Sequence, residues 1–204
     1  MMQLIPNPPS LGAAESEARA CLSIETGSSA EVPALESEIA QVSAAIEDKT
    51  NPLPPAEHDR SVADLAQLTA KLATVDIRRR NALRRRRIYG PVIAAEVDRL
   101  TGEIKAGLIE AQEIVRQRVG KVLAPHFAPE DLPVAVARSK AWRAEVAFQN
   151  GISTGRFGLR FVFDAGVPVL SSDCTPDVLI HALDTARASA EAVRNHLVEV
   201  KAAR

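Results

Sequence analysis

The sequence predicts a mainly α protein, in which long antiparallel helical hairpin or coiled-coil segments carry a small α+β head with one β-hairpin. Three observations support this fold class. Apolar residues recur at alternating steps of three and four in several long stretches, as in helices that pack along a narrow seam. Proline and glycine separate these stretches. Aromatic residues are absent before Tyr89, which places a compact core in the second half.

Four regions follow along the chain. Residues 1–29 are rich in proline, serine, glycine and alanine, and they predict an extended arm with at most a short helix near 13–22. The predicted helical coiled-coil region covers 30–122, the α+β head 123–174 and a last helix 175–204. The first helix of the coiled-coil region is expected from Pro33 to Asp48, with a seam formed by Leu35, Ile39, Val42 and Ile46.

Prolines define the next boundaries. Three prolines within residues 52–55 end the first helix. The second helix is expected to open at Ser61 as its N-cap and to end at Gly90, with Pro91 in the first turn of the third. Because this break is so short, the second and third helices are predicted to fold back on each other as an antiparallel pair. The seam of the third helix is Ile93, Val97, Leu100, Ile104, Leu108, Ala111 and Val115.

The head is predicted from one helix and one hairpin. A helix is expected over 133–149, followed by a strand over 157–163 and a return strand over 167–171. The side chains on one face of the first strand are candidate assembly contacts, because an isolated two-stranded hairpin is only marginally stable: Phe157, Leu159, Phe161 and Phe163. Thr175 is expected to cap the last helix, with Pro176 at its first position.

Seven arginines fall within residues 78–87. Residues that face each other in an antiparallel pair have a nearly constant sum of their numbers. The predicted hairpin therefore pairs Arg79 with Glu103, and Arg86 with Glu96, as candidate ion pairs. The other five point around the rest of the helix and are candidates for contact with an acidic partner or with nucleic acid: Arg78, Arg80, Arg84, Arg85 and Arg87.

Charge is divided along the chain. Residues 1–77 carry twelve acidic and four basic side chains, so an acidic surface for the arginines exists on this chain or on a neighbouring copy. Three interpretations stay open for the arginine run. They are charge pairing within or between subunits, binding to nucleic acid, and a solvated helix tip.

No arrangement of residues predicts a catalytic, cofactor or metal site. His181 shares a helix face with Asp177 and Asp184, which indicates an ion pair within the helix rather than a metal site. Cys21 and Cys174 form no recognised motif and indicate a reducing compartment. We therefore predict that the chain is not an enzyme and has no cofactor or small-molecule substrate.

The sequence favours a structural function. We expect a non-catalytic assembly subunit of a homo-oligomer or larger complex, in the cytoplasm or in a virion. A bacteriophage capsid, neck or tail component would meet this description. The alternative is a nucleic-acid-binding or packaging accessory protein that acts through Arg78–Arg87. The expected partners are other copies of the chain and other proteins, with no membrane.

Overall fold

The computed structural model describes residues 8–153 and 174–203, and 89% of them are helical. Chain contacts divide the protein into an amino-terminal unit, 1–90, and a carboxy-terminal unit, 91–204. Among the described residues, no helix combines the length and apolar character needed to cross a membrane. A 3₁₀ turn at Ala124–His126 accompanies five α-helices: α1 Leu11–Glu47, α2 Pro55–Leu123, α3 Leu132–Arg138, α4 Lys140–Ser153 and α5 Pro176–Ala202.

The mainly α class is confirmed, but the predicted α+β head is wrong. In the described part of the chain there is no strand, and the helical segments within the predicted head are the 3₁₀ turn at Ala124–His126, α3 and α4. An aromatic side chain of this region serves helix packing instead, because Phe148 stacks on His196 of α5 with ring centroids 3.8 Å apart. The predicted strands, with Phe157, Leu159, Phe161 and Phe163, lie outside the described residues.

Helix α1 begins much earlier than the sequence predicts. Ser10 is its N-cap and accepts a hydrogen bond from the amide of Ala13 at 3.3 Å. Residues 11–29, expected in an extended arm, are therefore helical. Their buried positions continue the predicted seam upstream in the same three-four register, but through small side chains that do not form an obvious apolar pattern: Ala14, Ala18, Cys21 and Ser28.

Pro33, expected to start α1, lies inside it. Its ring nitrogen cannot donate to the carbonyl of Ser29, and a proline in a helix interior costs about 3 kcal/mol relative to alanine. We expect Pro33→Ala to raise the free energy of unfolding by about 1–3 kcal/mol. Part of the gain is offset, because replacing proline also gives the unfolded chain more conformational freedom. Urea unfolding followed by circular dichroism measures this change.

Pro8→Ala is the matched control, because Pro8 is exposed and precedes α1. Its effect should stay within about 0.5 kcal/mol. Lower stability of Pro33→Ala would show that this proline does not sit inside a helix.

In the amino-terminal unit, α1 and residues 55–90 of α2 form an antiparallel hairpin. The Cys21 thiol donates to the carbonyl of Ala82 at 3.7 Å, and Glu17 pairs with Arg85. The residue numbers in these two pairs add up to 103 and 102. A nearly constant sum is expected where two helices run antiparallel. The chain reverses in residues 48–54, where the prolines predict a break, but α2 begins at Pro55 and not at the predicted Ser61. There the Asp48 carboxylate accepts a hydrogen bond from the amide of Thr50 at 2.8 Å.

The predicted reversal at Gly90–Pro91 does not occur, because α2 is helical on both sides of it. Pro91 removes one amide donor from the helix. Burial of Tyr89 and Gly90 before it, and of Ile93 after it, favours continued helix on each side. The local preference at Gly90–Pro91 is for a break, because proline suits the first turn of a helix better than its interior, but the structure keeps α2 helical there.

In the carboxy-terminal unit, α2 and α5 pack side by side and parallel. Glu103 pairs with Arg194 at 2.9 Å, and one heptad later in both helices Glu110 pairs with Lys201 at 2.7 Å. All seven residues of the predicted seam after Pro91 are buried, and α5 buries residues at the same spacing: Leu179, Leu183, Ala186, Ala190, Val193 and Val200.

The single helix predicted over 133–149 is two helices, α3 and α4. Ser139 between them is extended, and its hydroxyl accepts a hydrogen bond from the amide of Trp142 at 3.1 Å. Serine competes with helical hydrogen bonding in this way, which makes it a good start for a helix and a poor interior residue.

Candidate functional site

The seven arginines of α2 lie in the amino-terminal unit, toward the end of the hairpin opposite its turn at 48–54. At 100° per residue they surround the helix. Arg78 and Arg85 flank the seam with α1 on one side, and Arg79 and Arg86 flank it on the other. The remaining three point away from α1.

One flanking arginine has a carboxylate partner. Arg85 Nη1 lies 2.8 Å from Glu17 Oε1 of α1. This pair joins the arginine run of α2 to α1, which lies in the acidic segment 1–77. Within residues 8–153 and 174–203, the other six arginines have no carboxylate oxygen within 4.0 Å.

The glutamates of the two predicted intra-hairpin pairs have other partners in the structure. Glu96 receives two hydrogen bonds from Arg99, both at 2.8 Å. Glu103 binds Arg99 at 3.2 Å and Arg194 at 2.9 Å. Arg79 and Arg86 therefore pair with neither carboxylate, because the predicted pairing required the chain to reverse at Gly90–Pro91. The hydrogen bonds from Arg99 hold the pKa of Glu96 below its usual range.

The three outward arginines share a surface with two isoleucines. Arg80, Arg84 and Arg87 are exposed, and Ile77 and Ile88 are 56% and 58% exposed. Together they cover an arc of about 100° on the side of α2 away from α1. We call these five residues the basic face. It combines positive charge with aliphatic side chains that are more than half exposed, although Ile88 also lines a cavity against α1.

Cys21 of α1 and Tyr89 of α2 are buried at the same end of the hairpin. Burial raises the pKa of the Cys21 thiol, and it also raises the pKa of the neighbouring Tyr89 hydroxyl. Both groups therefore stay protonated at neutral pH. Cys21 lacks the exposure and lowered pKa of a reactive cysteine, so it serves packing between the helices.

A buried polar cluster in the carboxy-terminal unit was not predicted from the sequence. Glu145 of α4 is only 2% exposed, and its Oε2 lies 2.7 Å from Nε2 of His196 on α5. Gln149 donates to the other oxygen of Glu145 and to the carbonyl of Leu108, both at 3.2 Å. The cluster joins α2, α4 and α5. Glu145 and His196 are 51 residues apart, so no spacing could have revealed the pair.

No metal site is indicated around His181. In the part of the chain that the structure describes, no group of three or more histidine, cysteine or acidic residues could hold a metal ion. His181 is exposed. The Thr175 hydroxyl donates a hydrogen bond to the Asp177 carboxylate, which keeps the pKa of Asp177 low. Thr175, the expected cap of α5, therefore binds this side chain instead of a backbone amide.

Comparison of the chain with protein-family models, with curated proteins and with solved structures finds no significant match.

Proposed function

We propose that this protein is a non-catalytic subunit of a homo-oligomer or larger complex, and that the basic face of α2 binds an acidic protein surface. The observation that carries the proposal is the position of Ile77 and Ile88 beside three arginines without a carboxylate partner among the described residues. A surface of this composition fits a protein interface, where arginine and apolar side chains are found together.

The two isoleucines give the basic face an apolar area that a partner could cover. Water satisfies an arginine side chain, but it leaves more than half of each isoleucine in unfavourable contact with solvent. Covering the exposed part of each would contribute about 1 kcal/mol to association. Arginine stems can cover a neighbouring apolar side chain while their charged ends reach a partner. The face therefore supplies both apolar contact and charge.

Nucleic acid is the second candidate partner. Three outward arginines within eight residues offer phosphate contacts, and such binding would depend steeply on salt. The isoleucines favour protein over nucleic acid, because protein–DNA interfaces are more polar and more strongly positive than protein–protein interfaces. Membership of a bacteriophage particle stays a prediction from the sequence.

Native mass spectrometry or light scattering over a range of protein concentrations tests the proposal. We expect the unaltered protein to be larger than a monomer, and the triple variant Arg80→Ala, Arg84→Ala, Arg87→Ala to shift toward the monomer. Circular dichroism checks that the variant stays helical. Removing the arginines should weaken association because it takes away the charges that contact the acidic partner.

The matched control removes the same charge elsewhere, with alanine at three exposed basic residues of the other unit: Arg138, Lys140 and Arg143. This control should keep the unaltered mass. A monomer at every concentration would contradict self-association through the basic face, and equal losses in both triple variants would contradict a specific role of this face. Salt-dependent binding of duplex DNA that only the basic-face variant loses, with no change of mass, would favour the second candidate.

A further inference from the structure

The same hairpin carries an acidic groove near its turn. The groove lies between α1 and α2 and has a volume of about 280 Å³. Each helix contributes one exposed carboxylate, Glu38 from α1 and Asp64 from α2. Neither has an ion-pair partner in the described part of the chain. We call it the acidic groove, and its lining is Glu38, Gln41, Val42, Asp64, Gln67 and Leu68.

The two ends of the hairpin carry opposite charge. Residues 31–64, around the turn, hold eight acidic and two basic side chains, whereas residues 78–87 hold seven arginines and no acid. Asp64 and Arg84 are about 30 Å apart along α2, at 1.5 Å per residue. Charges at the surface are largely screened beyond about 8–10 Å at physiological salt. The two ends therefore cannot neutralise each other within one hairpin, but a second molecule can bring them together.

The groove suits an arginine side chain. Val42 and Leu68 in its lining are half-buried and can contact the aliphatic stem. Glu38 and Asp64, one on each side, can accept hydrogen bonds from the guanidinium group, and such charge-assisted bonds are stronger than neutral ones. An arginine that approaches from the basic face of another copy would meet both kinds of contact.

We infer that the acidic partner of the basic face is a second copy of this chain, and that the receiving surface is the acidic groove of that copy. This inference rests on the proposed function and names its partner. The chain carries both complementary surfaces, so it is complementary to itself. Such a contact forms a closed assembly if its rotation closes, and an open filament if it does not.

A charge exchange between two variants tests the contact. The face variant is Arg80→Glu, Arg84→Glu, Arg87→Glu, and the groove variant is Glu38→Arg, Asp64→Arg. Each alone brings like charges together, so we expect its self-association to weaken by on the order of a hundredfold. An equimolar mixture should regain the mass of the unaltered assembly. In the mixture the reversed face meets the reversed groove, and the two unaltered surfaces still meet each other.

The control variant Glu36→Arg, Glu47→Arg makes the same charge change on the opposite flank of α1, where both side chains are exposed. It should associate like the unaltered protein. Circular dichroism of every variant checks the helical fold. Native mass spectrometry resolves the mixture, because each variant has its own mass.

The outcomes separate the two proposals. A monomeric unaltered protein would overturn this inference together with the homo-oligomer of the proposed function. If the unaltered protein associates and the face variant does not, but the groove variant keeps its mass, then the basic face binds elsewhere and only this inference fails. A mixture that stays monomeric would likewise overturn the direct contact between face and groove. The inference requires that the face and groove variants fail to associate separately but associate when mixed. The control variant must associate like the unaltered protein.

Discussion

Replacing His196 with alanine is expected to lower the free energy of unfolding by about 3 kcal/mol or more. The imidazole is one of two side-chain partners of Glu145, whose carboxyl group is buried. Without His196 that group keeps only Gln149, and a buried polar group with a missing partner is costly. The variant also loses the ring that stacks on Phe148. Urea unfolding followed by circular dichroism measures the loss.

His181→Ala is the matched control on the same helix. His181 is exposed, so its replacement should change stability by no more than about 0.5 kcal/mol. The double variant Glu145→Leu, His196→Leu should be more stable than His196→Ala, because an apolar pair of similar volume removes the buried polar group together with its partner. Equal stability of His196→Ala and His181→Ala would contradict the role of the buried cluster.

Gly107→Ala is expected to destabilise the carboxy-terminal unit by about 1–3 kcal/mol, although alanine is the better helix former by about 1 kcal/mol. A Cβ atom at this position would lie 2.6 Å from Cγ1 of Val193 on α5. Val193 is 2% exposed, and a β-branched side chain in a helix has one strongly preferred rotamer. The valine side chain therefore cannot relieve the clash by adopting another rotamer, and the two helices must move apart. Thermal and urea unfolding both report this change.

Gly102→Ala on the same helix provides the control. No neighbouring heavy atom lies within 4 Å of the Cβ position there, so this variant should gain up to about 1 kcal/mol from helix propensity. The double variant Gly107→Ala, Val193→Ala should recover part of the loss, with a coupling energy above about 0.5 kcal/mol. If Gly107→Ala were as stable as Gly102→Ala, the close approach of α2 and α5 would be disproved.

Large apolar residues made several elements predictable. The seam from Ile93 to Val115 and that of α5 could be identified because leucine, isoleucine and valine at three-four spacing form one face of a helix wherever they pack. The break at 48–54 could be identified because closely spaced prolines interrupt helical hydrogen bonding, although proline at the first position of a helix is tolerated and α2 starts at Pro55. The first half of α1 could not be predicted in this way. Its buried residues Ala14, Ala18 and Cys21 are too small to form an obvious apolar face in the sequence.

The candidate site was predicted in part. The cluster of arginines is visible in the sequence, but their partners depend on where the chain turns. A turn at 48–54 brings Glu17 to Arg85, whereas a turn at Gly90–Pro91 would have brought Glu96 to Arg86. The exposure of Ile77 and Ile88 beside the arginines also depends on which face of α2 is covered by α1.

Long helices could be predicted because the spacing of apolar residues and the positions of prolines are local properties of the chain. Which helices pair, in which direction, and which arginines stay exposed depends on contacts between residues far apart in the sequence. Tertiary packing also brings Glu145 to His196 across 51 residues. Contacts of this kind depend on the position of each turn, and at Gly90–Pro91 the local preference for a turn was weaker than the packing that keeps α2 helical.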